Sequence, residues 1–361
     1  MPPTEPDRVP LPALAQSWPA PTRPRPIVCI GAGGIVENAH LPAYRALGIP
    51  VRGLFDIDEA RARALASRFQ ITTVFPSLAN AAALGNSVVF DVAVPARHVP
   101  EVLEALPHGA AVLIQKPMGE NLAEAKRVRA LCATRSLTAA INFQLRFSPN
   151  MLALSAAIAR GLLGEVVDLE VRVNTYTPWQ LWPFLKALPR HEILYHSIHY
   201  LDLVRSLLGE PQGVYAKVAR HPSLAEYADT RSAVILDYGG ECRVVLSVFH
   251  SHNYGQRHAA SEVKVEGTKG VAVARMGVNL DYPKGVPDAL EIALAERPFE
   301  SVALRGSWFP EAFEGPISNL QRFVAGEDTR LVSSIEDAYR TMALVEACYE
   351  SSERGGTPVP E

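Results

Sequence analysis

The apolar run Ile27–Ile30 ends directly in Gly31-Ala32-Gly33-Gly34, and residues with helical spacing follow it. A strand that stops in closely spaced glycines and restarts as a helix has few uses. Glycine lets the backbone turn tightly and lets a ligand approach it closely, while the helix N-terminus offers unpaired N–H groups to negative charge. The expected ligand is a pyrophosphate, held by Gly31, Gly33, Gly34 and Ile35. Val36 occupies the third glycine position of the usual fingerprint, so strand and helix are expected to pack slightly further apart.

A second short run, Val51–Phe55, ends at Asp56. That is the distance at which an acidic residue meets the adenosine ribose of a dinucleotide. The carboxylate repels a 2′-phosphate and Ile57 brings no compensating charge, which favours NAD over NADP; Arg61 and Arg63 on the next helix weaken the preference. A glycine turn with a capping aspartate in some other α/β protein stays open as the alternative.

The pattern that follows supports the nucleotide reading. Val88–Val94, Ala111–Ile114 and Thr138–Phe143 are apolar runs separated by helical stretches at Glu59–Phe69, His98–Leu106 and Leu122–Cys132. Strands alternating with helices imply a doubly wound parallel sheet of Rossmann type over residues 26–147. The second half changes character. Val166–Val173, Gly213–Val218, Ser232–Tyr238, Cys242–Phe249 and Ser261–Glu266 read as strands, with a hairpin turn at Gly239-Gly240-Glu241. Residues 148–361 are therefore expected to form an α+β domain with an open, mainly antiparallel sheet, including helices at Ile193–Leu208 and Ser334–Ser352. The last helix has the option of packing back on the first domain. Residues 1–25 are dense in proline and are expected to form a disordered arm.

Composition narrows the function. A net charge of −3 in 361 residues offers no basic field for nucleic acid or an anionic membrane. The 4 cysteines are scattered, no apolar run is long enough to span a bilayer, and the N-terminus lacks a signal-peptide pattern. A reducing, cytoplasmic setting is the expectation.

Two further clusters carry chemistry. Lys116, in Gln115-Lys116-Pro117, ends a strand at the carboxyl edge where open α/β sheets bind ligands, and it can hold a substrate hydroxyl. Tyr195, His199 and Asp202 are spaced to share one helix face, and His196 lies one turn before His199. A histidine there can accept a hydroxyl proton; a capped, partly buried helix with packed histidines is the plainer alternative. His191, His196, His199 and Asp202 also invite a metal, but no Cys/His framework completes a tetrahedral set, so none is expected. His250 and His252 are read as solvent-facing sheet residues. Pro95 and His98, after the run Val88–Val94, are expected near the nicotinamide. Tyr176, Trp179, Trp182 and Phe184 suit the C–H faces of a sugar ring, and a loop anchored by ordinary packing explains them about as well.

With these residues in hand, the chain resembles the family named after glucose–fructose oxidoreductase, inositol dehydrogenase and rhizopine-catabolism proteins. The marks are the GAGGIV loop, Asp56, Val94-Pro95-Ala96-Arg97-His98, Lys116-Pro117, Arg146-Phe147-Ser148-Pro149, His199-Tyr200-Leu201-Asp202, Leu208-Gly209 and Glu266-Gly267-Thr268-Lys269-Gly270. The resemblance implies catalysis by Lys116 and His199, and a homodimer or homotetramer assembled through the second sheet. It departs at two places: Gln115 replaces the motif's glutamate, and Tyr195 stands where many members carry an aspartate, leaving Tyr195 or His196 as local substitutes. The expected reaction is hydride transfer between NAD and a secondary hydroxyl of a sugar, cyclic polyol or glycoside, with Arg146, Trp182, His196 and Asp202 as substrate contacts. Two alternatives stay open: an enzyme that keeps its cofactor through a net non-redox glycoside reaction, and a non-catalytic NAD-binding regulator.

Overall fold

Five short runs build the first sheet: β1 (Ile27–Ile30), β2 (Val51–Phe55), β3 (Val89–Val92), β4 (Ala111–Ile114) and β5 (Thr138–Ile141). A computed structural model describes residues 11–282, 284–295 and 297–360. In it the five strands are all parallel, in the order β2-β1-β3-β4-β5. β1, β3 and β4 are buried along their whole length, which is why they read as continuous apolar runs rather than alternating ones. The strand order reverses between β1 and β3, and that reversal opens a crevice at the carboxyl edge. Flanking helices start on side-chain caps: Asp58 accepts from Arg61 N before Glu59–Phe69, and Asn121 from Glu124 N before Leu122–Thr134.

The second sheet holds β6 (Val166–Asn174), β7 (Gly213–Ala219), β8 (Arg231–Asp237), β9 (Arg243–Phe249), β10 (Ala260–Gly267), β11 (Gly270–Arg275), β12 (Ala289–Leu294) and β13 (Glu300–Ser301). Their order is β13-β12-β11-β10-β6-β9-β8-β7, antiparallel throughout except for the β6/β9 pair. Val234 and Leu236 of β8 face the core with Val244, Leu246 and Val248 of β9. The opposite face carries Tyr215, Ile235 and Val245, aligned across β7, β8 and β9. The strands β11–β13 and the helices Pro149–Ala159 and Glu314–Val324 lie outside the elements read from the sequence.

Two late segments join the sheets. The helix Glu314–Val324 packs on β4 and β5. The helix Ile335–Arg354 lies along β7 and the helix Leu122–Thr134, and Ile141 N donates to Ser333 O at 2.8 Å. The proline-rich segment corrects the expectation of a disordered arm over its described part. Trp18 donates from Nε1 to Asp328 at 2.8 Å and meets Phe147 edge-on at 5.3 Å. Arg25 N donates to Gln321, Arg322 donates to Ala20 O, and Gln16 bonds both Ala303 and Arg305. Proline removes ladder donors but not carbonyls, and the side chains of Gln321, Arg322 and Glu327 bond several of the backbone groups that remain. Residues 1–10 of the expected arm lie outside the described residues. Among the described residues, no helix is long and apolar enough to cross a membrane.

Candidate active site

The glycine loop turns where the fold requires it and stays open where the fold does not. Gly31 has φ +106°, and a Cβ there would sit 2.4 Å from Ala93 O, so β1 and the end of β3 can approach only over glycine. At Gly33 nothing lies within 4 Å of a Cβ position. No contact inside the protein asks for glycine at that point, whereas a phosphate resting on the backbone would. Gly34 and Ile35 open the helix, where the first amides have no intrahelical acceptor. Asp56 accepts from Ala32 N at 2.7 Å and from Asp58 N at 2.9 Å, so the carboxylate is locked to the loop from the end of β2. Arg61 stands 4.0 Å from it. This cradle fits a dinucleotide: an exposed backbone for the pyrophosphate and a fixed acid beside it.

Lys116 lies two residues past β4, and its Nζ donates to the main-chain carbonyl of Tyr195 at 2.7 Å. Part of its stem meets solvent, but the ammonium is enclosed, and burial pulls its pKa from 10.5 down to about 8. An ammonium has three donors, so two remain for a substrate oxygen. Beneath it runs a buried polar chain that the sequence reading missed. Asn142 donates to Gln115 at 3.0 Å and meets His40 Nε2 at 3.2 Å; His40 Nδ1 lies 2.8 Å from Asp91, which also accepts from Tyr44 at 2.9 Å. The signal was available: Asp91 is a lone charge inside an apolar strand. Gln115 thus holds Asn142 rather than serving as a negative partner for Lys116.

His199 lies on the helix Ile198–Leu208, buried, with Trp308 edge-on at 5.7 Å. Its Nδ1 has no hydrogen-bond partner. Burial first, and the nearby charge of Lys116 second, hold the imidazole well below its usual pKa, so it is neutral at physiological pH. The charge of Lys116, from the first domain, thus reaches His199 in the second.

Tyr195 stays beside the lysine, whose Nζ lies 5.8 Å from the centre of its ring, and most other expected residues fall elsewhere. The Tyr195 ring meets Phe184 at 5.9 Å, and the charges acting on its hydroxyl are Glu120, Glu124 and Arg97 of the first domain. Tyr195 contributes its carbonyl to Lys116, and burial raises its phenol pKa. Arg146 and Asp202 are turned to each other in a bidentate ion pair, with Asp337 and Thr341 completing it. Their hydrogen-bonding capacity is spent inside the protein, which corrects the expectation that they touch substrate. Pro95 precedes the short helical turn Ala96–His98 beyond β3. His98 is exposed there, its two nitrogens beside Arg97 and Glu101. Trp182 is half-buried against Trp179 and Tyr282, with Tyr176 and Phe184 exposed nearby in sequence. His196 packs against His250 with ring centroids 4.0 Å apart. His250 is fully buried rather than solvent-facing, because the chain after β9 turns in under Thr177.

Comparison with known proteins places the chain in a family. Residues 26–143 match the model of the oxidoreductase family with an NAD-binding Rossmann fold, and residues 151–273 match the GFO/IDH/MocA C-terminal domain. The chain belongs to the GFO/IDH/MocA oxidoreductase family. As a member it carries an NAD-binding Rossmann domain. It is 27% identical to a D-apiose dehydrogenase of Paraburkholderia graminis, over 91% of this chain and 88% of that one. It is 25% identical to an inositol 2-dehydrogenase of Burkholderia cenocepacia, over 90% and 93%. A levoglucosan dehydrogenase solved with NADH and levoglucosan shares the fold, with a TM-score of 0.75 at 18% identity, covering 92% of this chain and 98% of that one.

Proposed function

We propose that this protein oxidises a secondary hydroxyl of a sugar or cyclic polyol, with Lys116 and His199 as the catalytic pair. The observation that supports the reading is their proximity: the charge of Lys116, an enclosed ammonium with one bond to the Tyr195 carbonyl, acts on the buried, neutral imidazole of His199. Lys116 holds the substrate oxygen and favours its alkoxide-like form. The neutral imidazole of His199 takes the hydroxyl proton. Bound NAD supplies the acceptor for the hydride leaving the carbinol carbon. Gly31, Gly33, Gly34 and Ile35 would hold the pyrophosphate and Asp56 the ribose, with Pro95 and His98 at the nicotinamide end.

The relatives named above act on apiose and inositol, and a polyhydroxylated ring suits the aromatic residues Trp182, Tyr176 and Phe184, of which Phe184 meets the ring of Tyr195. The protein is assigned to the cytoplasm. It is read as a homodimer or homotetramer through the second sheet, whose Tyr215 and Ile235 are exposed on the uncovered face.

The test is the appearance of reduced nicotinamide when NAD or NADP is offered with pentoses, aldoses, inositols and anhydrosugars. Reduction of NAD by one of these classes, and little of NADP, is the expected result. No reduction of either across the panel, by protein shown to bind NAD, would overturn the reading.

A further inference from the structure

Next to the catalytic pair, three donors converge that hydride transfer does not use. Glu192 and His196 are four residues apart on the widened helical turn leading to His199, and His250 follows β9. One donor atom from each lies within 4.8 Å of the other two. His250 Nε2 stands 3.3 Å from Glu192 Oε1. That is close to the edge of a tetrahedron built on metal–ligand bonds of about 2.0–2.2 Å, an edge of roughly 3.3–3.6 Å.

The cluster is poorly served by protein contacts alone. Glu192 and His250 are fully buried, and both Glu192 Oε2 and His196 Nδ1 are buried with no hydrogen-bond partner. A buried acceptor left unmade costs about 1–3 kcal/mol, and more when it is charged. One cation would neutralise the carboxylate and occupy an imidazole nitrogen of each histidine at once. The surroundings are those of an oriented ligand set. Thr177 Oγ1 lies 2.9 Å from His250 Nδ1, which leaves Nε2 facing the cluster, and Ser197 Oγ donates to Glu192 Oε1 at 2.6 Å. Trp179 walls the site, 5.0 Å from the His250 ring and 5.8 Å from that of His196.

We propose that Glu192, His196 and His250 bind one divalent transition-metal ion, with zinc the ion that two imidazoles and a carboxylate suit best. Three protein ligands leave a fourth position for water or a substrate oxygen. The site stands independently of the dehydrogenase reading, because metal content rather than turnover reports it.

The test uses the full-length chain, stripped with a chelator and dialysed. It is titrated with Zn2+ against a chromophoric competitor, and separately with Co2+ while the visible absorption is followed. One equivalent per chain and the intense absorption of tetrahedral Co2+ are expected. Glu192→Gln and His250→Ala should each weaken binding by roughly 100-fold or more, while His108→Ala on the exposed surface leaves it unchanged. Two results overturn the site: no uptake or only weak octahedral cobalt absorption by the wild-type chain, or wild-type affinity in both ligand variants. The cobalt spectrum of the wild-type chain decides the matter even if those variants fail to fold.

Discussion

The Nζ of Lys116 donates to the main-chain carbonyl of Tyr195 at 2.7 Å, so the edge of the first sheet is fastened to the helical turn that leads to His199 in the second domain. The packing of the two domains thus positions the lysine, while its burial lowers the ammonium's pKa. Replacing either Lys116 or His199 with alanine should lower kcat by about 10²–10⁴-fold, while NAD affinity, measured by fluorescence titration, changes little for His199→Ala. The pH profile gives a second check. The charged and titratable groups acting with Lys116 are His191, His196 and His199. With its pKa at about 8, the ammonium is lost above that pH and the rate should fall there. His199, held well below the usual imidazole range, stays unprotonated, so no fall is expected between pH 7 and pH 6. An acid limb near 6.5 assigned to His199 would sink its role as the enclosed base.

The same lysine makes a stability prediction of opposite sign. Its folded-state pKa lies below the unfolded value of 10.5, at about 8. The unfolded chain therefore binds the extra proton between those two values, and stability rises with pH across that window. Below pH 8 the buried charge costs on the order of 3 kcal/mol, less about 1 kcal/mol for the bond to Tyr195. Lys116→Met should abolish turnover yet raise the thermal midpoint at pH 7, with the gain shrinking by pH 10. A midpoint that falls at pH 7 would mean the tether outweighs the desolvation.

The glycine loop separates folding from binding. Ala at position 33 meets open space and needs no left-handed backbone, so Gly33→Ala should melt like the wild type. It should nevertheless weaken NAD binding by about 10-fold or more, since a methyl group enters the space a phosphate would take. Gly31→Ala should instead destabilise the fold, because φ +106° and the 2.4 Å approach to Ala93 O both oppose a side chain. Equal NAD affinity in Gly33→Ala would remove the pyrophosphate from this loop.

These contrasts show where a sequence is legible. β1 announces itself as a continuous apolar run ended by Gly31, and β2 as a short run ended by Asp56. β12 does not: Ala289–Leu294 reads Ala-Leu-Glu-Ile-Ala-Leu, good helix formers that become a strand only because β11 and β13 pair on either side. The site divides in the same way. Lys116 and His199 stand in recognisable motifs, but Glu192 meets His250 across 58 residues and Arg146 meets Asp202 across 56. Only the return of β9 and the docking of the two domains create those pairs, and no local spacing records them.

The Arg146–Asp202 pair yields the sharpest test of that difference. A substrate-binding arginine and a structural one look alike in the motif Arg146-Phe147-Ser148-Pro149. In the fold, Arg146 Nη2 also reaches Asp337 at 2.7 Å, and Asp202 accepts from Thr341 at 2.9 Å. The pair therefore clamps three segments: the Gln144–Phe147 turn, the helix bearing His199, and the helix Ile335–Arg354. Removing one member of a buried ion pair strands the other and typically costs 3–5 kcal/mol; Asp337 remains beside Arg146 and should keep the loss at about the lower end. Asp202→Asn should thus lower the thermal midpoint by several degrees while the KM of the folded enzyme moves less than about 3-fold. A KM raised 10-fold or more with an unchanged midpoint would return Asp202 to the substrate pocket.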